Sequence, residues 1–139
     1  MNQRLITLFA SVLLVALALF GSTMAGPLEN GEAAYHRGDY AEAMRLLRPL
    51  AEQGDASAQF RLGAMYTFGD GVPHDTEQGV IWYRKAAEQG NANAQTKLGL
   101  MYAYGIGTPK DGAQALFWYR KAAEQGDASA QFTLWFDVL

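Results

Sequence analysis

Residues 55–90 read DASAQFRLGAMYTFGDGVPHDTEQGVIWYRKAAEQG, and residues 91–126 read NANAQTKLGLMYAYGIGTPKDGAQALFWYRKAAEQG. One unit is written twice: about 21 of 36 positions are identical, and a fixed period of that length marks a solenoid of stacked supersecondary units. Met65-Tyr66 returns as Met101-Tyr102, Gly69-x-Gly71-x-Pro73 as Gly105-x-Gly107-x-Pro109, and Trp82 to Gly90 recurs unbroken as Trp118 to Gly126. A third copy opens at Asp127 and departs from the pattern at Trp135.

The punctuation inside each copy predicts two helices. Asp55, Asn91 and Asp127 stand where an N-cap side chain accepts backbone N–H groups at the start of a first helix, A. Asp75 with Gln78, and Asp111 with Gln114, have capping-box spacing for a second helix, B. Gly54, Gly90 and Gly126 close the B helices. Between A and B, Gly69, Gly71 and Pro73, or Gly105, Gly107 and Pro109, forbid one continuous helix. Upstream, Asp39 with Glu42 and Leu46-Leu47 keep the B-helix register, so a helix pair is expected over about 28–53. Its turn lacks the glycine-rich loop, and Pro49 is expected to bend its B helix. Arg84-Lys85 and Glu88, repeated at Arg120-Lys121 and Glu124, read as ion pairs along the B-helix surface. The organisation is a segment 1–25, a leading helix pair 26–54, full units 55–90 and 91–126, and a partial unit 127–139.

The composite Ala-x-Ala-Gln-x-x-Leu-Gly-x-Met-Tyr, Gly-x-Gly-x-Pro-x-Asp and Trp-Tyr-Arg-Lys-Ala-Ala-Glu-Gln-Gly resembles the Sel1-like repeat, a relative of the tetratricopeptide repeat. The resemblance implies an all-α fold, an α/α superhelical solenoid of antiparallel helix pairs, in a bacterial adaptor that assembles other proteins. Some exported relatives clamp each pair with a disulfide. This chain has no Cys, so penicillin binding, which belongs to that cysteine-rich subgroup, is not expected.

Comparing the copies separates scaffold from contact positions, because residues that every unit needs for stacking repeat while those facing a partner are free to differ. Ala58, Gln59, Leu62, Gly63, Met65, Tyr66 and Gly69 repeat, and their spacing of three and four marks a packing face. Phe60, Ala64, Thr67 and Phe68 differ from Thr96, Leu100, Ala103 and Tyr104, and form a second stripe. In the resembled family the A helices line the concave surface. The expected partner site is therefore Phe60, Arg61, Phe68, Thr96, Lys97, Leu100 and Tyr104, an apolar groove with cationic edges for a partner peptide or helix, where aromatic and Arg anchors supply most of the affinity. The competing reading packs Phe60, Phe68 and Tyr104 between consecutive A helices. Trp135 and Phe136 are a second expected contact, at a C-terminal edge that pairs with another copy or a partner; the alternatives are that this edge folds back on Trp118 and Ala122, or that the third copy is a truncated end.

Other chemistries find no support. Trp82-Tyr83 and Trp118-Tyr119 read as core filler, and His36 and His74 as surface residues without metal-ligand spacing. Gly69-Asp70-Gly71 lacks the strand before it and the Lys-Ser/Thr after it that a phosphate loop needs. With no Cys and no nucleophile, base and orienter set, no enzyme, cofactor or metal is expected.

Arg4 precedes an uncharged apolar run from Leu5 to Phe20 and small residues ending at Ala25, which reads as a secretory signal peptide cut before Gly26. The expected location is the bacterial periplasm or the medium. The alternative is a membrane-tethered structural subunit of an envelope complex that keeps this segment as an anchor, and an N-terminus at Gly26 in the mature protein decides between them. The whole chain carries a net charge of −3, so without Arg4 it is about −4, with signs interspersed; nucleic acid is not an expected partner.

Overall fold

A computed structural model describes residues 25–137 of the chain, with side chains to Phe136. The apolar segment before Ala25 lies outside the described residues, as do Val138 and Leu139. The described residues form seven helices and no strand: α1 (Pro27–His36), α2 (Tyr40–Glu52), α3 (Ala56–Phe68), α4 (Thr76–Glu88), α5 (Ala92–Tyr104), α6 (Gly112–Glu124) and α7 (Ala128–Asp137). None is long and apolar enough to cross a membrane.

The caps fall where the sequence puts them. Asp55, Asn91 and Asp127 accept the N–H groups of Ala58, Ala94 and Ala130 at 2.8, 2.9 and 2.8 Å. Asp39, Asp75 and Asp111 cap α2, α4 and α6 in the same way. Each cap satisfies one of the donors that a helix start leaves orphaned, worth about 1 kcal/mol. The turn from α2 to α3 is equally economical. Gly54 N–H donates to Ala51 O and Asp55 N–H to Leu50 O, a Schellman closure with Gly54 at φ 101°. The residue that completes one helix's closure thus caps the next helix. The pattern recurs at Gly90-Asn91 and Gly126-Asp127, and Gly38-Asp39 uses it to join α1 to α2 in place of the glycine-rich loop. Pro49 sits in the last turn of α2, which continues through it to Glu52.

Neighbouring hairpins bury their apolar faces against each other, and the same residues recur at each interface. Leu62, Ala58 and Met65 join Leu47 and Ala51 in the first cluster. Leu98, Ala94 and Met101 join Tyr83, Ala86, Ala87 and Trp118 in the second. Ala130 joins Ala115, Tyr119 and Ala122 in the third, with half-buried Leu134 against them. A stack of this kind is held by nearest-neighbour interfaces rather than by one central core.

Small residues set how closely the two helices of a pair approach. A Cβ on Gly63 would stand 2.6 Å from Tyr83 Cδ1, and one on Gly99 would stand 3.0 Å from Tyr119 Cδ1. Gly31 meets Leu47 in the same way, at 2.5 Å. Helices α1, α3 and α5 therefore each carry a notch that receives a large side chain of the B helix that follows. Burial pushes the Tyr83 phenol up to about 12, against a smaller downward pull from its hydrogen bond with Thr67. Because the folded-state value lies above the ordinary 10.0, neutral Tyr83 supports the fold fully below pH 10, and that support is lost as pH rises through 12. A near-ultraviolet tyrosine titration should show a late-ionising phenol that Tyr83→Phe removes, and its ionisation should accompany loss of helicity. Ionisation of every phenol near its ordinary value with helicity unchanged would contradict this packing.

Candidate functional site

Helices α1, α3 and α5 are the first three A helices, and their N-terminal halves border an open groove of about 480 Å³. Leu28 and Phe60 supply its apolar part, and Glu29, Glu32, Arg61, Ser57, Asn91 and Asn93 its polar rim. Of the residues expected from sequence, the groove contains Phe60 and Arg61. Phe60 is half-buried, with its ring centroid 5.6 Å from that of Tyr83, so it also supports the α3–α4 pair.

Arg61 is not the free cationic edge expected from the sequence. Its Nε donates to Glu32 Oε1 at 3.0 Å, its NH2 donates to Glu32 Oε2, and the guanidinium lies 4.3 Å from the Tyr35 ring centroid. The side chain is 17% exposed. Arg61 therefore ties α3 to α1 and presents an ion pair rather than an unpaired charge. Thr96 is likewise engaged, donating to Asp127 Oδ1 at 3.0 Å. Ala64 is buried, and Thr67 donates to Gly63 O beneath α4, so both belong to the helix-pair interface and not to the outward stripe.

The rest of the stripe is open. Phe68 and Tyr104, at equivalent ends of α3 and α5, are 65% and 73% exposed, while Lys97 and Leu100 are exposed along α5. Tyr104 borders a second groove of about 390 Å³ with Ala103, Gly112, Ala115, Leu116 and Tyr119. The structure therefore divides the expected set: Phe60 and Arg61 lie at the helix starts, Phe68 and Tyr104 at the helix ends. Exposed aromatics at successive repeats supply large contact area at low entropic cost.

Nothing in either groove resembles a reaction centre. His74 is exposed, His36 lies 3.9 Å from Glu32, and no group of three or more His, Asp or Glu among the described residues could hold a metal ion. Trp118, Tyr83 and Tyr119 are buried, and Trp82 is half-buried with Lys85 Nζ 4.4 Å from its ring, so the paired aromatics fill the core.

The geometry of notch, cap and turn repeats with the period of the sequence, and a profile of the Sel1 repeat matches residues 24–55, 56–91 and 92–127. The chain belongs to the Sel1 repeat family. Sel1 repeat proteins are in general protein-interaction scaffolds without catalytic activity of their own. A protective antigen of uropathogenic Escherichia coli with an SLR fold is 45% identical with a TM-score of 0.71, over 76% of this chain and 23% of that one. A Sel1 repeat protein from Oxalobacter formigenes is 41% identical with a TM-score of 0.74, over 78% of this chain and 43% of that one. This chain thus spans less than half the length of either relative. Cysteine-rich protein B of Helicobacter pylori, 19% identical with a TM-score of 0.64 over 81% of this chain and 98% of that one, shares the fold. A search of curated proteins gives no significant match.

Two ladders of polar contacts run between the Sel1 repeats. Gln59 Nε2 donates to Ala51 O of the preceding B helix at 3.0 Å, and Gln59 Oε1 accepts from Gln89 Nε2 of its own B helix at 2.7 Å. Gln95 repeats this with Ala87 O and Gln125, at 3.1 and 2.8 Å. Arg48 donates to Tyr66 Oη and Arg84 to Tyr102 Oη, each reaching the next A helix. Arg84, expected to pair with Glu88 along its own helix, instead bridges repeats. The identity of these residues between the copies marks them as scaffold, but their partners become visible only in three dimensions. The groove residue Asn93 was detectable, since it differs from Ser57 at the equivalent position.

Proposed function

We propose that the chain is a non-catalytic interaction module that holds a peptide or helix of a partner protein on its A-helix face, and that it is exported after cleavage behind Ala25. The observation that carries the reading is the alignment of open contact area along α1, α3 and α5, with Phe68 and Tyr104 exposed at repeating positions while the other faces of these helices are buried. The family's general role agrees with it. Phe60 and Arg61 line the groove at the helix starts and also hold the scaffold together, so the residues that test the site are the exposed ones: Phe68, Lys97, Leu100 and Tyr104. The Glu29 carboxylate at the groove rim and the exposed Lys97 give the face a charge direction, which favours one orientation of a bound segment.

A Phe68→Ala, Leu100→Ser, Tyr104→Ala triple variant should melt within about 3 °C of the parent, because surface changes away from packing features alter stability by only a few tenths of a kcal/mol. The same variant should lose about tenfold or more in affinity for a partner captured by the parent. Equal affinity in the two proteins, measured by titration calorimetry, would remove these residues from the site.

A further inference from the structure

We propose that α7 forms an isologous, two-fold interface with α7 of a second copy, built on Phe132, Trp135 and Phe136. These three side chains are 65%, 73% and 60% exposed, and the Phe132 and Phe136 rings already lie 4.5 Å apart, centroid to centroid. The opposite side of α7 is spent on the fold, where Ala130 is buried and Leu134 packs against α6. Spacings of three and four put the aromatics on one stripe.

The repeat register says what this stripe replaces. Phe132, Trp135 and Phe136 stand at the positions of Phe60, Gly63 and Ala64, which in the first full repeat are half-buried or buried by the B helix and its neighbour. At Gly63 and Gly99 even a Cβ would crowd the tyrosine ring of the B helix. An indole at 135 fills that notch, so a B helix of the repeat type cannot dock on α7 as α4 docks on α3. The face is apolar like an interior seam, yet closed to the element that covers that seam elsewhere.

A second α7 fits it. The helix carries no ionised side chain from Ala128 to Phe136, so two copies meet without charge repulsion. With the two-fold axis across the middle of the stripe, antiparallel helices bring Phe132 opposite Phe136 of the partner subunit, and one patch covers itself. Aromatic side chains bury about 150–250 Å² each, so two-thirds of three gives about 300–500 Å² per copy and about 600–1,000 Å² for the pair. That lies just below the size of a stable specific interface, about 1,200 Å² or more, and points to a micromolar, concentration-dependent dimer.

The test is sedimentation equilibrium of the purified protein from low micromolar to submillimolar concentration, for the parent, Phe132→Glu and Phe136→Lys, and an equimolar mixture of the two variants. The parent should dimerise and each variant alone should weaken association at least tenfold. The mixture should recover it, because the geometry sets the carboxylate introduced at position 132 of one copy beside the ammonium introduced at position 136 of the other. Circular dichroism guards against misfolding, and the recovery in the mixture cannot arise from an unfolded variant. A parent that stays monomeric, an association that both variants retain, open-ended polymers, or a mixture no tighter than its components would each overturn the proposal, the second by placing self-association elsewhere on the chain.

Discussion

Replacing Gly63 with Val should destabilise the protein by about 3 kcal/mol and lower its melting temperature by about 10–20 °C. A Cβ there would already lie within 2.9 Å of three atoms of the Tyr83 ring, which is 2% exposed, hydrogen-bonded to Thr67 and held by Phe60. The ring has nowhere to move, so α3 and α4 must separate. The sign matters more than the size. In an exposed helix, Gly→Ala stabilises by up to about 1 kcal/mol through propensity alone. Gly112→Ala, at the first position of α6 where a Cβ meets nothing within 4 Å, should show a part of that gain, whereas Gly63→Ala should show a loss. Thermal unfolding of the two alanine variants side by side checks the claim. Stabilisation at both sites would show that the notch does not control the helix spacing.

The second large effect is expected at the glutamine ladder. Gln59 is 5% exposed and links three helices, accepting from Gln89 and donating to the carbonyl of Ala51. Gln59→Ala removes both contacts and leaves a cavity at the seam between repeats, at a cost of about 2–3 kcal/mol. Part of that belongs to the pair. A double-mutant cycle with Gln89→Ala should return a coupling of about 1 kcal/mol. Gln131 is the internal control: it makes the equivalent bond to Ala123 O at 3.1 Å, but it is exposed and no following B helix is present among the described residues to supply the second partner. Gln131→Ala should therefore cost well under half as much as Gln59→Ala. Equal costs at the two positions would mean that the second link contributes nothing.

Much of the fold was legible in the sequence because it is written by local rules at a fixed period. Asp55, Asn91 and Asp127 cap their helices, and Gly54, Gly90 and Gly126 close the preceding ones, through contacts between residues at most five apart. Such contacts depend on residue type and spacing, which a sequence displays directly. The candidate site was less legible. Arg61 faces Glu32, 29 positions away in another helix, so its neutralisation depends on how two hairpins stack. Arg84 reaches Tyr102 for the same reason. Comparing the copies separated repeated from variable positions, but variability alone could not tell Thr96, turned to Asp127, from Tyr104, open to solvent. The leading pair hid its groove residues more thoroughly. Its shorter turn shifts α1 out of the 36-residue register, so Leu28 and Glu29 had no counterpart to be compared with.

The most direct measurement on the proposed function is photocrosslinking in the cells that make the protein, with a benzophenone amino acid placed singly at residues 93 and 104 on the A-helix face and at residues 81 and 117 on the outer face of the B helices. Ile81 and Phe117 are 44% and 47% exposed, so they offer apolar area without belonging to the proposed site. The expected result is one shared partner adduct from positions 93 and 104 and none from 81 and 117. Adducts only from 81 and 117 would contradict the A-helix face as the binding surface.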